Sequence, residues 1–231
     1  MNVGVEILKK AADFPVNTIY WDHGRLTHEE QQIRNFPAPW LFKTLDFLSL
    51  IKDPVVVEIG STRFGITQKC IDYYNSCFTM TGADRPACCQ DGHSTYFWAR
   101  AGYETYTVDI DPRCADVVRD QYIHHLREDP PANLHVHIPA DGIEFLRNFD
   151  KEINLLYLDG WDVGSLEYAE RHLEAFKAAE DKLAPNHIVS IDDTDFVHQE
   201  GGKDKLLTPY LLENGYMRVL HGRQTVFIKL A

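Results

Sequence analysis

The chain has 231 residues, 44% hydrophobic and 25% charged, an ordinary globular balance that excludes a disordered or fibrous protein. A formal net charge of -12 makes a phosphate backbone a poor partner, so nucleic acid is not expected. No window approaches the roughly 18 to 20 apolar residues of a membrane span, and no basic segment leads into an apolar one, so a cytoplasmic protein without a membrane partner is expected.

The first fifty residues read as short helices, Val3 to Ala12, His28 to Phe36 and Leu41 to Ile51, interrupted by Pro15, Pro37 and Pro39. Residues 1–50 are expected to form a helical cap or lid over the carboxyl edge of a sheet. Ile19-Tyr20-Trp21-Asp22-His23 mixes aromatic and polar groups in a way that suits a substrate lid or plain packing. From residue 51 to 231 the pattern becomes that of one α/β domain.

Five β-branched or apolar runs read as strands: Val55 to Ile59, Thr105 to Asp109, Leu134 to Ile138, Ile153 to Leu158 and His187 to Ile191. Several are nearly continuous in apolar residues, as expected of strands covered on both faces. Between them lie helical spacings, for example Leu166, Ala169, Leu173 and Phe176. Gly215 to Leu220 and Gln224 to Lys229, joined by His221-Gly222-Arg223, read as an antiparallel hairpin. The predicted fold is a Rossmann-like, mostly parallel seven-stranded sheet ending in that hairpin.

In an open parallel sheet ligands bind beyond the carboxyl ends of the strands. Those ends carry Glu58-Ile59-Gly60-Ser61, Asp109-Ile110-Asp111-Pro112, Ala140-Asp141-Gly142, Asp159-Gly160-Trp161-Asp162 and Asp192-Asp193-Thr194. An aspartate at one such position caps the next helix as readily as it binds a ligand. A carboxylate at every end points to a site.

Val57-Glu58-Ile59-Gly60, Thr107-Val108-Asp109-Ile110-Asp111-Pro112 and the closing hairpin resemble the motifs of class I S-adenosylmethionine-dependent methyltransferases, over roughly residues 50 to 231. The resemblance implies that S-adenosylmethionine is the cofactor. Gly60 with Ser61 would hold its methionine part, Asp109 its ribose and Asp141 its adenine, with Glu58, Ile110 and Gly142 completing the expected cofactor set. The glycine loop departs from the family pattern. Gly60 and a second site, Gly92-His93-Ser94, read as one cofactor loop split by an insertion at about 62–90; the alternative is that Ser61 to Gly65 opens the helix directly and Gly92 is structural.

The insertion holds Cys70, Cys77, Cys88 and Cys89, and Cys114 lies beyond it. An odd, irregularly spaced set without a C-x2-C pair reads as free thiols rather than a disulfide framework or a zinc site.

Leu158-Asp159-Gly160-Trp161 and Ile191-Asp192-Asp193 are similar to the metal-binding strand ends of catechol O-methyltransferase and of antibiotic-sugar (macrocin-type) O-methyltransferases. That likeness implies Mg2+ on Asp159, Asp192 and Asp193, with Asp159 serving the cofactor and catalysis as well. Hard carboxylates suit Mg2+, which lowers the pKa of a bound hydroxyl. Where the catechol enzyme has a lysine base this chain has Asp162, so His198 or His172 is the candidate base.

The expected function is methyl transfer to a small-molecule acceptor, by a metal-assisted O-methyltransferase or, alternatively, a metal-independent N- or O-methyltransferase. A nicotinamide-dependent oxidoreductase shares the acid after the second strand but lacks a compact G-x-G-x-x-G. A non-catalytic cofactor-binding protein is the third class, and a homo-oligomer is compatible with the sequence. Gly201-Gly202-Lys203-Asp204-Lys205-Leu206 lacks the context of a phosphate loop and reads as a mobile loop bordering the site.

Overall fold

Seven strands pair in the order β3-β2-β1-β4-β5-β7-β6: β1 (Val55–Ile59), β2 (Glu104–Val108), β3 (Leu134–His137), β4 (Ile153–Leu158), β5 (Leu183–Ile191), β6 (Tyr216–Leu220) and β7 (Thr225–Lys229). β1 to β5 are mutually parallel, while β7 runs antiparallel between β5 and β6. The mostly parallel sheet with a closing antiparallel hairpin is the predicted architecture. The structure is a computed structural model and describes residues 2–12, 38–62, 94–120, 122–123, 127–195 and 201–229. The expected helix His28 to Phe36, the lid candidate Ile19 to His23, the cysteines of the insertion, and Gly92, His93 and His198 lie outside these residues.

The two-residue period of the strands sends alternate side chains to opposite faces. Val56, Leu155, Tyr157, Ile188 and Ile228 belong to one core, and Val57, Leu156, Leu158, Val189 and Phe227 to the other. All ten are buried, each removing apolar surface worth about 2 kcal/mol from water. Helices α1 (Val3–Ala12), α2 (Ala38–Leu48), α3 (Ser94–Arg100) and α4 (Arg113–Asp120) contribute Ile7, Phe47, Phe97 and Val118 to the first core. Helices α5 (Gly142–Asn148), α6 (Tyr168–Ala179) and α7 (Leu207–Glu213) contribute Leu146, Phe176 and Leu211 to the second.

The described N-terminal helices flank the sheet, with Ile7, Leu41 and Phe47 buried in the core of one face; residues 13–37 of the expected cap lie outside the described residues. One expectation shifts here. Leu166, expected on the inner face of a helix, precedes α6 and is 88% exposed; Glu167 takes a left-handed backbone there and starts the helix late. Among the described residues no helix is long and apolar enough to cross a membrane.

Candidate functional site

Strand order reverses between β1 and β4, and the crevice above their carboxyl ends is where such sheets bind ligands. A cleft of about 340 Å3 opens there, lined by Gly60, Asp109, Ile110, Asp111, Asp141, Gly142, Asp159, Gly160, Trp161, Asp162 and Ser165. Six residues expected at the cofactor (Gly60, Asp109, Ile110, Asp141, Gly142 and Asp159) thus share one cavity. Five of the lining side chains are carboxylates, and none of the described ones is a lysine or arginine.

Gly60 turns the chain at the end of β1 with φ of +94°, where a Cβ would lie 2.6 Å from the backbone carbon of Asp159. Only glycine lets the first and fourth strand ends approach so closely. Asp109 then fixes the loop: its Oδ2 accepts the Ser61 N–H at 2.8 Å and its Oδ1 accepts the Asp111 N–H at 2.8 Å. Each oxygen keeps a lone pair for a ligand hydroxyl. Ser61 Oγ is buried and has no hydrogen-bond partner among the described residues. Ile110 is 67% exposed beside the acid, an apolar surface open to a ring.

Helix capping accounts for part of the acid pattern. Asp141 caps α5, accepting the Glu144 N–H at 2.9 Å, and Asp111 accepts the Arg113 N–H at 3.0 Å at the start of α4. Asp141 still lines the cleft. The acids of β4 and β5 have a different task.

Glu58, expected at the cofactor, is fully buried and outside the cleft lining. Its carboxyl accepts hydrogen bonds from Ser94 Oγ and, at 2.6 Å, from Thr95 Oγ1. Burial pushes its pKa up to about 7, against the pull of the Ser94 and Thr95 hydroxyls. Glu58 and Ser94 therefore tie the start of α3 to the end of β1 from beneath the loop. Ser94 and Thr95 thus lie against the end of the first strand.

His172, a candidate base, is also sealed from the cleft. Its Nδ1 lies 2.6 Å from the Tyr168 carbonyl oxygen, and its ring meets Trp161 edge to face at 5.4 Å between centroids. Burial, assisted by the Lys203 charge, lowers its pKa to about 3. So weak and enclosed a base is not placed to take a proton from an acceptor.

Asp159, Asp192 and Asp193 do converge, with carboxylate oxygens within 4.8 Å of one another. Their neighbours were not legible in advance. Lys203 is fully buried among them, its Nζ 2.6 Å from Asp159 Oδ1 and 2.9 Å from Asp193 Oδ2. Arg223 places Nη1 2.5 Å from Asp193 Oδ1 and Nε 3.5 Å from Asp192 Oδ1, and Gln224 Nε2 donates to the same Asp192 oxygen at 3.2 Å. Asp193 itself has a left-handed backbone, φ 51°, which aspartate tolerates better than most residues.

Burial raises the pKa of Asp159, opposed by Lys203, and raises that of Asp192 further, opposed by Arg223. Asp193 is also desolvated, yet Lys203 and Arg223 together hold its pKa below the ordinary value. Burial opposes the charge of Lys203, but the three carboxylates outweigh it and its pKa is raised. The oxygens are the right donors for Mg2+, but those facing one another already hold an ammonium and a guanidinium. The cluster as built does not fit a further divalent ion unless a buried lysine leaves. Gly201 to Leu206, expected as a mobile border, supplies that lysine and buries it.

No family model and no curated protein matches the chain. Solved structures do resemble it in fold. The O-methyltransferase TomG from Streptomyces achromogenes, involved in tomaymycin synthesis and solved with SAM, is 15% identical with a TM-score of 0.50, covering 98% of this chain and 90% of that one. Cofactor-bound Rv0187 from MTB is 12% identical with a TM-score of 0.50, covering 98% and 88%. SMU.1697c from Streptococcus mutans, in complex with SAH, is 13% identical with a TM-score of 0.50, covering 81% and 96%. At such identities the likeness is one of fold: a class I methyltransferase-like α/β sheet.

Proposed function

We propose that this chain transfers a methyl group from S-adenosylmethionine to a small-molecule acceptor. The observation that carries the reading is the lining of the cleft, in which five side chains are carboxylates and none of the described ones is a lysine or arginine, while Lys203 pairs with Asp159 and Arg113 with Asp111 from outside it. Such a lining attracts a sulfonium and repels the pyrophosphate of a dinucleotide. The nicotinamide reading is weakened on the same ground.

Gly60 with Ser61 would hold the methionine end, Asp109 the ribose hydroxyls, and Ile110, Asp141 and Gly142 the adenine. Glu58 and Ser94 support the loop, and Gly92 and His93 belong to the proposed second half of it. Bound S-adenosylmethionine supplies an electrophilic methyl group on sulfur. The chain's own task is to hold the acceptor in line beside Asp159, Trp161 and Asp162 and to keep water out.

Mg2+-assisted O-methylation is a second reading, favoured by the convergence of Asp159, Asp192 and Asp193. It requires Lys203 to leave two carboxylates first. Incubation with methyl-labelled S-adenosylmethionine and a panel of hydroxylated and amino acceptors tests the proposal. Label is expected in at least one acceptor; tight cofactor binding with no transfer across a broad panel would favour a non-catalytic binder.

A further inference from the structure

The segment that carries Lys203 is pinned by its backbone before its side chain does anything. Lys203 N–H donates to the Asp193 carbonyl at 3.1 Å, and Tyr168 Oη donates to the Gly201 carbonyl at 2.9 Å. A Cβ on Gly202 would lie 2.5 Å from Thr194 Cα, so the chain passes against the end of β5 only because that residue is glycine. Lys203 then points inward with no exposed surface. Its three ammonium hydrogens match three acceptors: Asp159 Oδ1 at 2.6 Å, the Asp159 carbonyl at 3.1 Å and Asp193 Oδ2 at 2.9 Å.

An ammonium with every donor used, on a backbone fixed at both sides, is not a surface lysine folded back over a void. It bridges the fourth and fifth strand ends, and Asp159, one of its two partners, lines the cleft. Arg223 occupies the other oxygen of Asp193, so both oxygens of that carboxylate face a fixed cation.

We infer that Lys203 is the resident cation of this cluster, standing where a divalent ion would bridge Asp159 and Asp193, and that methyl transfer here needs no metal. Lys203 is a positioning residue: it acts through Asp159, whose side chain and carbonyl it holds at the cleft wall. The inference rests on the methyl-transfer reading of that cleft.

The test is a Mn2+ titration of the full chain, with free ion followed by electron paramagnetic resonance, in wild type, K203M and D193N. Wild type is expected to take up no ion at millimolar Mn2+, and K203M one per chain, because removing the ammonium frees the carboxylates. One ion per wild-type chain, lost in D193N, would overturn the inference. So would a folded K203M that binds none. Should K203M not fold, the wild-type titration decides by itself. Calorimetric binding of S-adenosylhomocysteine to the same wild-type sample reports separately: its absence sinks the methyl-transfer reading, whatever the Mn2+ result.

Discussion

Glu58 and Thr95 are both fully buried and joined by a hydrogen bond of 2.6 Å, which closes the gap between the end of β1 and the start of α3. A carboxyl raised from 4.5 to about 7 by burial binds its proton more tightly in the folded chain than in the unfolded one. Stability from this group is complete below pH 4.5 and is lost as pH rises through about 7, an effect of about 3 kcal/mol. Glu58→Gln keeps the shape and removes the charge. Urea unfolding at a series of pH values is expected to show wild type weakening over this range relative to Glu58→Gln; parallel curves would contradict the account.

Asp109 holds the glycine loop through the Ser61 and Asp111 amides. Asp109→Ala leaves both without their acceptor and removes the proposed ribose contact. Charge-assisted hydrogen bonds of this kind are worth roughly 1.5 to 3 kcal/mol, so S-adenosylhomocysteine affinity is expected to fall by at least about tenfold. Unchanged affinity by calorimetry would remove Asp109 from the site.

Gly60→Ala meets two obstacles at once, a positive φ and a backbone carbon at 2.6 Å. Relief requires the β1 and β4 ends to separate. The expected loss is roughly 3 kcal/mol, which lowers Tm by about 10 °C in a domain of this size, together with loss of cofactor binding. Calorimetric unfolding with wild-type Tm would contradict the close approach.

His172 has a pKa lowered to about 3, so it is neutral in the fold where it would be charged in the unfolded chain. The stability tied to its neutrality is present above about pH 6.5 and is lost as pH falls toward 3. Its ring proton shifts in NMR are expected to stay constant from neutral pH down to about 4. Titration near 6.5 would show an imidazole open to solvent and restore it as a candidate base.

The strands were legible because each is a short apolar run with its own period, and the hairpin because Gly215 and Gly222 punctuate it. The strand-end acids were legible because sheet topology decides where they meet. Lys203 was not. Gly201-Gly202-Lys203-Asp204-Lys205 has the composition of an exposed loop, and its burial arises from carboxylates ten and more than forty residues away. Arg223 was hidden likewise in a turn read only for its glycine. One signal was available: aspartates gathered at neighbouring strand ends cannot all be buried without counter-cations, so a lysine or arginine had to come from somewhere. The reverse error was Leu166, where helical spacing ran past a left-handed Glu167 that no periodicity announces.

The most direct measurement is calorimetric titration of the full chain with S-adenosylhomocysteine and, separately, with NADH. The acidic cleft is expected to bind S-adenosylhomocysteine at one site per chain and to give no heat with NADH. Saturable NADH binding without binding of S-adenosylhomocysteine would contradict the central claim.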